Sequence, residues 1–301
     1  MSQRIALIVN PTAGGGVGRV IGDQVRLLLR QAGHHIVEAS GKTFADARGR
    51  GAQAVDEGVD LVVVVGGDGT AHLGVNLCAG GGPRLAVVAA GTGNDLARNL
   101  GLPIRDARAA VRAIETGTTR RVDAGRVTST DGAQQWFAGV LGAGFDAVVT
   151  ARAARMRWPR GQLRYALAMV RELPAFRPIP YVVQLDGIRH DLSAMLVAVA
   201  NTTSFGGGMR VCPDADVADG LFDVLVVHAL SIPDFVRVFP SVYSGRHVTH
   251  PAVQICRAAR VRLEAEGIES QADGEAMARL PLEVENVPGA LELVVGSVRA
   301  A

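Results

Sequence analysis

The chain has 301 residues, which is long for one average domain and sufficient for two domains that each bury a core. Hydrophobic residues make up 48% and charged residues 20%, a globular composition that excludes an intrinsically disordered chain. The formal net charge of +2 is too small to indicate a polyelectrolyte partner, so we expect no binding to nucleic acid.

The cysteines and the apolar runs indicate the compartment. Cys78, Cys212 and Cys256 are widely spaced and form no CxxC pair, which favours thiols in a reducing cytoplasm over a disulfide framework or a zinc site. No uncharged apolar stretch reaches the length of a membrane span, and the first apolar run ends at Pro11. We therefore expect a cytoplasmic protein that would meet a membrane peripherally, from its inner face.

The first part of the chain alternates predicted strands and helices. Apolar runs typical of buried parallel strands occur at residues 5–9, 35–39, 61–65 and 85–89. Helical patterns occupy residues 21–29, 44–57 and 107–114. This alternation predicts an α/β domain over residues 1–122, built on a doubly wound, mostly parallel sheet.

A glycine-rich segment follows three of these strands, at the carboxyl ends where such sheets bind ligands. The segments are Asn10–Gly18, Gly66–Thr70 and Gly91–Asp95. Glycines let backbone amides approach an anion, and Thr70 and Asn94 or Asp95 look like helix N-caps that would aim helices at a phosphate. One such loop is more often a tight turn, whereas three at one sheet edge predict a phosphate site.

The loops do not match the common nucleotide motifs. The GxGxxG dinucleotide motif fails, since Arg19 stands where the first loop would need its third glycine. Ser40–Thr43 imitates the end of a Walker A motif, but that motif's first glycine would fall at Ile36, inside a strand. Lys42 is the only lysine in the chain. Phosphates would therefore be held by backbone amides, threonine hydroxyls and a metal ion.

After Asp123 the pattern changes to short apolar runs separated by turns such as Asp186-Gly187. Strands are predicted at residues 136–140, 181–185, 192–200, 222–228, 253–256, 261–263 and 282–287, with one helical insert around residues 147–173. These runs predict a second, β-rich domain at residues 123–289. A last predicted strand at 291–295 leaves open that 290–301 joins the first domain.

The three loops, taken together, resemble a known family. Asn10-Pro11, GGDGT at Gly66–Thr70 and GTGND at Gly91–Asp95 resemble, in this order and spacing, the catalytic domain shared by diacylglycerol, sphingosine and ceramide kinases. GGDG alone is also found in NAD kinases and phosphofructokinases, so the combination carries the resemblance.

The resemblance extends over nearly the whole chain. Asp216–Asp223 (DVADGLFD) looks like the family's structural magnesium loop, and Ala272–Glu275 (ADGE) looks like its DGE segment. Arg152–Tyr165 is similar to actinobacterial diacylglycerol kinases in particular. One departure is His72, which occupies the usual position of an asparagine.

The family resemblance implies a fold and an ATP site. The fold would be an NAD kinase/diacylglycerol kinase-like α/β domain followed by a β-sandwich domain, with the active site in a cleft between them. The resemblance points to a set of ATP-binding residues in the first domain: Asn10, Gly66, Gly67, Asp68, Gly69, Thr70, Gly91, Thr92, Asn94 and Asp95, with Ser40 or Thr43 as the family's threonine.

Phosphoryl transfer to an alcohol needs a bound ATP, a Mg²⁺ ion and a carboxylate that accepts the hydroxyl proton. We expect Asp68 to act near the phosphates through Mg²⁺, with Asp95 and Asp123 supporting it. The resemblance points to Asp273 or Glu275 as the base. The structural alternative for Asp273-Gly274 is a hairpin turn like Asp186-Gly187.

Two further sites are expected in the second domain. A second, structural Mg²⁺ would be held by the Asp219 side chain and by backbone oxygens of Asp216 and Leu221; the alternative is a polar turn. An acid-free basic stretch would contact an anionic membrane surface, and its candidate contacts are Arg155, Arg157, Trp158 and Arg160. The alternative is a solvated helix face.

The resemblance implies an ATP-dependent kinase that phosphorylates diacylglycerol to phosphatidic acid. Three alternatives stay open: a kinase of a sphingoid base or polyprenol, an NAD kinase, and a non-catalytic sensor on a kinase fold. A homodimer is also left open by the sequence.

Overall fold

The structure is a computed structural model that describes residues 2–144, 156 and 177–296. The chain divides into two compact units. Unit 1 comprises Met1–Val122 together with Gly289–Ala301, and unit 2 comprises Asp123–Pro288.

The described strands and helices follow the chain in a simple order. The strands are β1 (Arg4–Val9), β2 (His35–Glu38), β3 (Leu61–Gly66), β4 (Arg84–Ala89), β5 (Thr119–Ser129), β6 (Gln134–Phe137), β7 (Val140–Gly144), β8 (Ile179–Leu185), β9 (Ile188–Ala200), β10 (Phe222–His228), β11 (Val253–Ala258), β12 (Arg260–Glu264), β13 (Glu269–Ala272), β14 (Glu275–Arg279) and β15 (Leu282–Val294). The α-helices are α1 (Val17–Gln31), α2 (Phe44–Asp56), α3 (Asp68–Cys78), α4 (Asp95–Asn99), α5 (Ala107–Thr116) and α6 (Ile232–Val238).

Unit 1 is built on a parallel sheet in the order β15-β4-β3-β1-β2. Every residue of β3 is buried, as expected for a strand covered on both faces. On one face Ile5 and Leu7 pack in a cluster with apolar residues of α1 and α5. On the other face Ile8 lies beside Gly51 of α2. The predicted doubly wound, mostly parallel sheet is confirmed.

Unit 2 is a β-sandwich-like domain, as predicted, and is organised around the long strand β9. β9 pairs with β7, β8 and β10, all antiparallel. The inner cluster contains Phe137, Tyr181 and Phe222, of which Phe137 and Phe222 stack at 5.8 Å between ring centroids. Alternate residues of β10, among them Leu225, face a second apolar cluster on the other side of the sheet.

Several predicted boundaries in unit 2 were wrong. The run 136–140 is two strands, interrupted at Ala138 and Gly139. The runs 282–287 and 291–295 are one continuous strand, β15. The sequence analysis also missed β5, β13, β14 and α6, whereas β10 has its predicted bounds.

Three further observations bear on the sequence predictions. The predicted helical insert around 147–173 lies outside the described residues, apart from Met156. Within the described part of the chain, no helix is both long and apolar enough to span a membrane. All three cysteines are free thiols; Cys78 and Cys212 are buried and Cys256 is partly exposed.

Candidate functional site

The three glycine-rich loops of unit 1 meet at one edge of the sheet. β1, β3 and β4 are in register, so Val9 lies beside Val65 and Gly66 beside Ala89. The loops that follow are in direct backbone contact. A Cβ atom at Gly14 would lie 2.3 Å from the carbonyl oxygen of Ala90. Glycine is therefore required where the first and third loops meet.

The second and third loops approach each other as closely. A Cβ atom at Gly91 would lie 2.5 Å from the Cα atom of Gly67. The carbonyl oxygen of Gly66 accepts hydrogen bonds from the backbone N–H groups of Ala90 (2.7 Å) and Gly91 (3.2 Å). The predicted convergence of three backbone segments is thus present within unit 1.

Asp68 has a role that the sequence analysis did not anticipate. Its carboxylate oxygens accept hydrogen bonds from the backbone N–H groups of Asn94 (2.9 Å) and Asp95 (2.6 Å), at the start of α4. A Cβ atom at Gly93 would lie 2.4 Å from Asp68 Oδ2, so the loop fits tightly around the carboxylate. Asp68 therefore caps α4 from a different helix and fixes the third loop.

Asn94 also stabilises the third loop from within. It has a left-handed backbone conformation with φ of 56°, and it is 4% exposed. Its side chain accepts a hydrogen bond from Gly91 N–H (2.9 Å) and donates one to the Gly91 carbonyl (3.0 Å). Asn94 is thus the N-cap residue of α4, as predicted, but its side chain bonds to Gly91.

Thr70 is not an N-cap, contrary to the prediction. Helix α3 begins at Asp68, and Gly67 is its N-cap residue, so Thr70 lies in the first turn. The hydroxyl of Thr70 lies 3.5 Å from the side-chain nitrogen of Asn10, which links the first and second loops. Gly69 lies between Asp68 and Thr70, in the first turn of α3.

Two arginines at the third loop were missed by the sequence analysis. Arg98 donates to the carbonyl of Gly93 at 2.8 Å, and Arg105 donates to the carbonyl of Gly91 at 3.1 Å. Thr92, between these carbonyls, is exposed. No motif marks the two arginines, but their position shortly after GTGND in a chain with one lysine was an available signal.

Ser40 and Thr43 differ in their environment. The Ser40 hydroxyl accepts a hydrogen bond from Val9 N–H at 2.9 Å, directly before the first loop. The Thr43 hydroxyl accepts one from Asp46 N–H at 3.1 Å and caps α2. Of the two candidates, Ser40 is therefore the residue held beside the first loop.

His72 lies in α3 and is 7% exposed. Asn76, one turn later, donates to the His72 carbonyl at 3.0 Å, and its side-chain nitrogen lies 3.1 Å from His72 Nε2. The residue that departs from the family pattern therefore packs inside unit 1.

In unit 2, Asp273 forms a hairpin turn with Gly274 between β13 and β14. Its backbone φ is 55°, as such turns require. The carboxylate accepts hydrogen bonds from the backbone N–H groups of Ala138 (3.0 Å) and Gly139 (2.9 Å). Asp273-Gly274 is thus a hairpin turn, and the turn also places the Asp273 carboxylate against the break between β6 and β7.

Asn201, the residue after β9, supports the same strand break. It is 1% exposed, and its side-chain nitrogen donates to the carbonyls of Asp123 and Ala138, both at 2.9 Å. Its backbone N–H donates to Gly139. No sequence motif marked this residue. It ties the segment bound by Asp273 to Asp123.

Asp123, at the start of unit 2, is hydrogen-bonded to a loop of the same unit. Its carboxylate accepts a hydrogen bond from Gly220 N–H at 2.7 Å, and its own N–H donates to the Val217 carbonyl at 2.7 Å. Asp123 therefore binds the 216–221 loop of unit 2.

The 216–221 loop contains oxygen donors of the kind that Mg²⁺ prefers. Asp216 and Asp219 each accept a backbone N–H two residues ahead, and Asp219 also pairs with Arg257. No group of three or more potential side-chain ligands occurs among the described residues. A cation here would depend on carbonyl oxygens, such as those of Asp216 and Leu221, and on water.

Unit 2 also contains an apolar pocket on the outer side of the β9–β10 sheet. The space inside it, including the part open to solvent, is about 730 Å³. Apolar side chains such as Met209, Leu225, Val238 and Phe239 line it, and His247 is the only polar residue among the described lining residues. The apolar lining suits part of an alkyl chain better than a polar ligand.

His247 is held neutral at this pocket. Its Nε2 lies 3.0 Å from the Val211 carbonyl, which can only accept, so Nε2 carries the proton. Burial lowers the pKa of His247 below its usual range, partly offset by this hydrogen bond. The described residues of the lining are therefore uncharged near neutral pH.

Comparison with known proteins identifies the family. A diacylglycerol kinase catalytic domain model matches residues 4–127, and a YegS C-terminal NAD kinase beta sandwich-like domain model matches residues 139–295. A protein from Mycobacterium tuberculosis named diacylglycerol kinase is 38% identical over 292 residues, covering 97% of this chain and 94% of that protein. The chain belongs to the diacylglycerol kinase family.

Other members of the diacylglycerol kinase family are similar over their whole length. A diacylglycerol kinase of Bacillus subtilis is 30% identical over 302 residues, covering 99% of this chain and 98% of that protein. A crystal structure of a diacylglycerol kinase candidate from Bacillus anthracis str. Sterne has a TM-score of 0.78 at 26% identity and covers 98% of both chains. Membership of the diacylglycerol kinase family supports a lipid kinase.

The predicted membrane contacts, Arg155, Arg157, Trp158 and Arg160, lie outside the described residues.

Proposed function

We propose that this member of the family is an ATP-dependent lipid kinase that transfers the γ-phosphoryl group of ATP to the hydroxyl of diacylglycerol, giving phosphatidic acid at a membrane surface. The observation that carries the proposal is the apolar pocket of unit 2, in a chain that belongs to a lipid kinase family. The pocket favours an acceptor with a long alkyl chain over a polar one.

ATP would bind at the loop edge of unit 1. The N-terminus of α3 and the 91–95 loop lie in one region, and a phosphate chain needs several backbone donors. Because the amides of Gly91, Asn94 and Asp95 are already hydrogen-bonded within the protein, the donors would be other amides of these two segments. Asp68 would hold the third loop in place through the amides of Asn94 and Asp95. Ser40 would contribute a hydroxyl beside the first loop.

Mg²⁺ is expected to accompany ATP, and the loop edge has suitable ligands in the carboxylates of Asp68 and Asp95. When bound, such an ion would neutralise negative charge on the phosphates. The chain's own contribution is to orient the loops that bear these two carboxylates.

The base would come from Asp273 or Glu275. Asp273 is anchored by two amides, which fixes its position. Glu275 begins β14, is partly exposed and lies opposite Ala272 across the hairpin. Either carboxylate would accept the proton of the acceptor hydroxyl as the new O–P bond forms, and a positioned base contributes roughly 10²–10⁴-fold to rate.

The pocket separates the candidate acceptors. Nicotinamide adenine dinucleotide is charged and polar over most of its surface, whereas the described lining of the pocket offers one neutral histidine. A sphingoid base or a polyprenol would satisfy the pocket as well as diacylglycerol does. Diacylglycerol is preferred because the relatives from M. tuberculosis and B. subtilis carry that name.

One assay tests the proposal. The purified chain is incubated with γ-labelled ATP, Mg²⁺ and, separately, diacylglycerol, sphingosine, undecaprenol or NAD. We expect labelled phosphatidic acid as the main product. Labelling of another lipid alcohol would mean that the protein is a lipid kinase with a different acceptor. Labelling of NAD alone would overturn the lipid proposal.

A further inference from the structure

The connection between β10 and β11 is much longer than the strands require. The two strands are antiparallel neighbours, with Val227 opposite Val253, and a few residues could join them. Residues 229–252 intervene and form α6 followed by two short 3-10 helices, Phe239–Ser244 and Arg246–Thr249. We call residues 230–247 the cover segment, because it covers one side of the apolar pocket.

The cover segment carries apolar side chains on both of its faces. Its inner residues Phe235, Val238, Phe239 and Val242 line the pocket. Its outer face exposes three large apolar side chains, which are Ile232 at 47%, Val236 at 55% and Tyr243 at 37%. A segment with only a structural role would be expected to carry polar residues on its solvent face.

Aromatic rings connect the two faces. Phe235 and Phe239 stack at 5.7 Å between ring centroids, and Tyr243 meets Phe239 edge-on at 6.1 Å. Tyr243 is therefore a partly exposed end of an apolar path that begins in the pocket. A tyrosine with its ring on apolar groups and its hydroxyl in water suits the headgroup region of a bilayer.

The charges on the cover segment fit an anionic surface. Arg237 and Arg246 are exposed, and Asp234 is the single acid between residues 229 and 252. Asp234 is already engaged by the Ser231 hydroxyl at 2.6 Å and by Arg237 at 3.5 Å. In the described part of the chain, Arg246 has no carboxylate within ion-pair distance. Exposed arginines beside apolar side chains are complementary to anionic lipid headgroups.

We propose that the outer face of the cover segment docks on an anionic lipid bilayer, so that Ile232, Val236 and Tyr243 enter the headgroup region and Arg237 and Arg246 meet the phosphates. A lipid acceptor reaches the apolar pocket from this side; that part rests on the proposed function. The bilayer is favoured over a protein partner because the exposed apolar face continues, through the aromatic rings, into a pocket suited to an alkyl chain.

The apolar contacts are tested by vesicle sedimentation at low salt. The vesicles contain phosphatidylcholine and phosphatidylglycerol. The variant is Ile232→Ser/Val236→Ser, and the control is Val20→Ser/Leu27→Ser, which changes two similarly exposed apolar residues of α1, 58% and 57% exposed. We expect a roughly tenfold or larger loss of vesicle binding for the first pair and none for the second. Equal binding by wild type and the first variant would overturn the proposal.

The charge contribution is tested with Arg237→Gln/Arg246→Gln. We expect about a fivefold loss of binding per arginine on phosphatidylglycerol vesicles, and a much smaller loss on pure phosphatidylcholine. An equal loss on both kinds of vesicle would contradict the assigned role of the arginines. Val236→Trp should strengthen binding, which gives a readout that poor folding cannot imitate.

Kinase assays separate this inference from the proposed function. With a short-chain diacylglycerol dispersed in water, Ile232→Ser/Val236→Ser should retain wild-type activity; with diacylglycerol in vesicles, activity should fall in step with binding. Loss of activity on both substrates would overturn the docking role. If wild-type protein phosphorylates no lipid, the proposed function fails, and sedimentation still decides whether the face docks.

Discussion

Asp186 and Asp273 have the same local structure in two different hairpins of unit 2. Each is the first residue of a two-residue turn whose second residue is glycine. The φ angles are 49° for Asp186 and 55° for Asp273. The Asp186 carboxylate accepts hydrogen bonds from the consecutive N–H groups of Ala259 (3.1 Å) and Arg260 (2.8 Å). Asp273 does the same with Ala138 (3.0 Å) and Gly139 (2.9 Å). The pair therefore allows structural and catalytic roles to be separated.

The first prediction compares Asp273→Asn with Asp186→Asn. Both changes weaken two hydrogen bonds to a carboxylate, so each should lower the free energy of unfolding by about 1–3 kcal/mol. Only Asp273→Asn should lower kcat, by roughly 10²-fold or more, if Asp273 is the base. Urea unfolding and steady-state kinetics measure the two effects. If Glu275→Gln loses kcat and Asp273→Asn does not, Glu275 is the base.

The second prediction concerns Asp68, with Asp106 as its control. Asp106 caps α5 by accepting Ala109 N–H at 2.8 Å, as Asp68 caps α4. Asp68→Ala and Asp106→Ala should each cost about 1 kcal/mol of unfolding free energy. Only Asp68→Ala should also raise KM for ATP, by about tenfold or more, because the 91–95 loop loses its anchor. An unchanged KM for ATP in Asp68→Ala would remove this loop from the ATP site.

The third prediction tests the pocket through its volume. Ala198 of β9 lines the pocket and is 2% exposed. Ala198→Leu should raise KM for long-chain diacylglycerol several-fold and leave KM for ATP unchanged, because the added side chain occupies pocket space. Leu225→Ala, on the neighbouring strand β10, removes side-chain volume from the pocket. This variant should therefore accept diacylglycerols with bulkier acyl chains. If wild type, Ala198→Leu and Leu225→Ala show the same dependence of KM on acyl-chain length, the pocket is excluded as the acyl site.

A fourth prediction follows from His247. Its pKa is lowered in the folded protein by burial, so the unfolded chain binds the proton more readily. The contribution of neutral His247 to the free energy of unfolding is complete above its pKa in the unfolded chain, about 6.5. It is lost as pH falls toward the lower pKa of His247 in the folded protein. His247→Gln should flatten this part of the profile of unfolding free energy against pH. A profile in His247→Gln as steep as in wild type would contradict this.

A fifth prediction concerns the 216–221 loop. If Mg²⁺ binds there, adding it to chelator-treated protein should raise the thermal midpoint by about 2 °C or more. Asp219→Asn should abolish that rise, and Asp214→Asn, which changes an exposed acid just outside the loop, should retain it. A rise of the same size in Asp219→Asn would mean that the stabilising ion binds elsewhere.

The sequence was most informative where a residue pattern has one physical solution. The LVVVV run of β3 admits little except a strand covered on both faces, and it is buried throughout. The glycines of the three loops predicted their convergence, because close backbone approach requires glycine, as seen at Gly14 and Gly91. In both cases the local pattern and the tertiary structure agree.

The sequence was least informative where long-range contacts decide the outcome. β13 (ESQA) and β14 (EAMAR) are too polar to be predicted as strands, and they form because β13 pairs with β7. The break at Ala138–Gly139 has a similar cause, since their N–H groups bond to Asp273, far away in sequence. Likewise, no local pattern could reveal that Asp68 caps a helix 27 residues later.

Helix α6 could have been found. Ser231 accepts Asp234 N–H at 3.2 Å as an N-cap, Pro233 lies in the first turn, and Asp234 completes a favourable start signal. The helix is short, so its periodicity is weak, and the capping residues were the better evidence.

The first loop of unit 1 sets unequal limits on natural variation. Gly14 is restricted twice, by a positive φ of 60° and by the Ala90 carbonyl, whereas Gly15 has a φ of 74° and open space around it. Among homologues that keep this backbone, glycine should therefore be invariant at position 14. At position 15, asparagine or aspartate should also occur, because these residues tolerate that conformation. Two adjacent glycines that look interchangeable in the sequence thus have different evolutionary freedom.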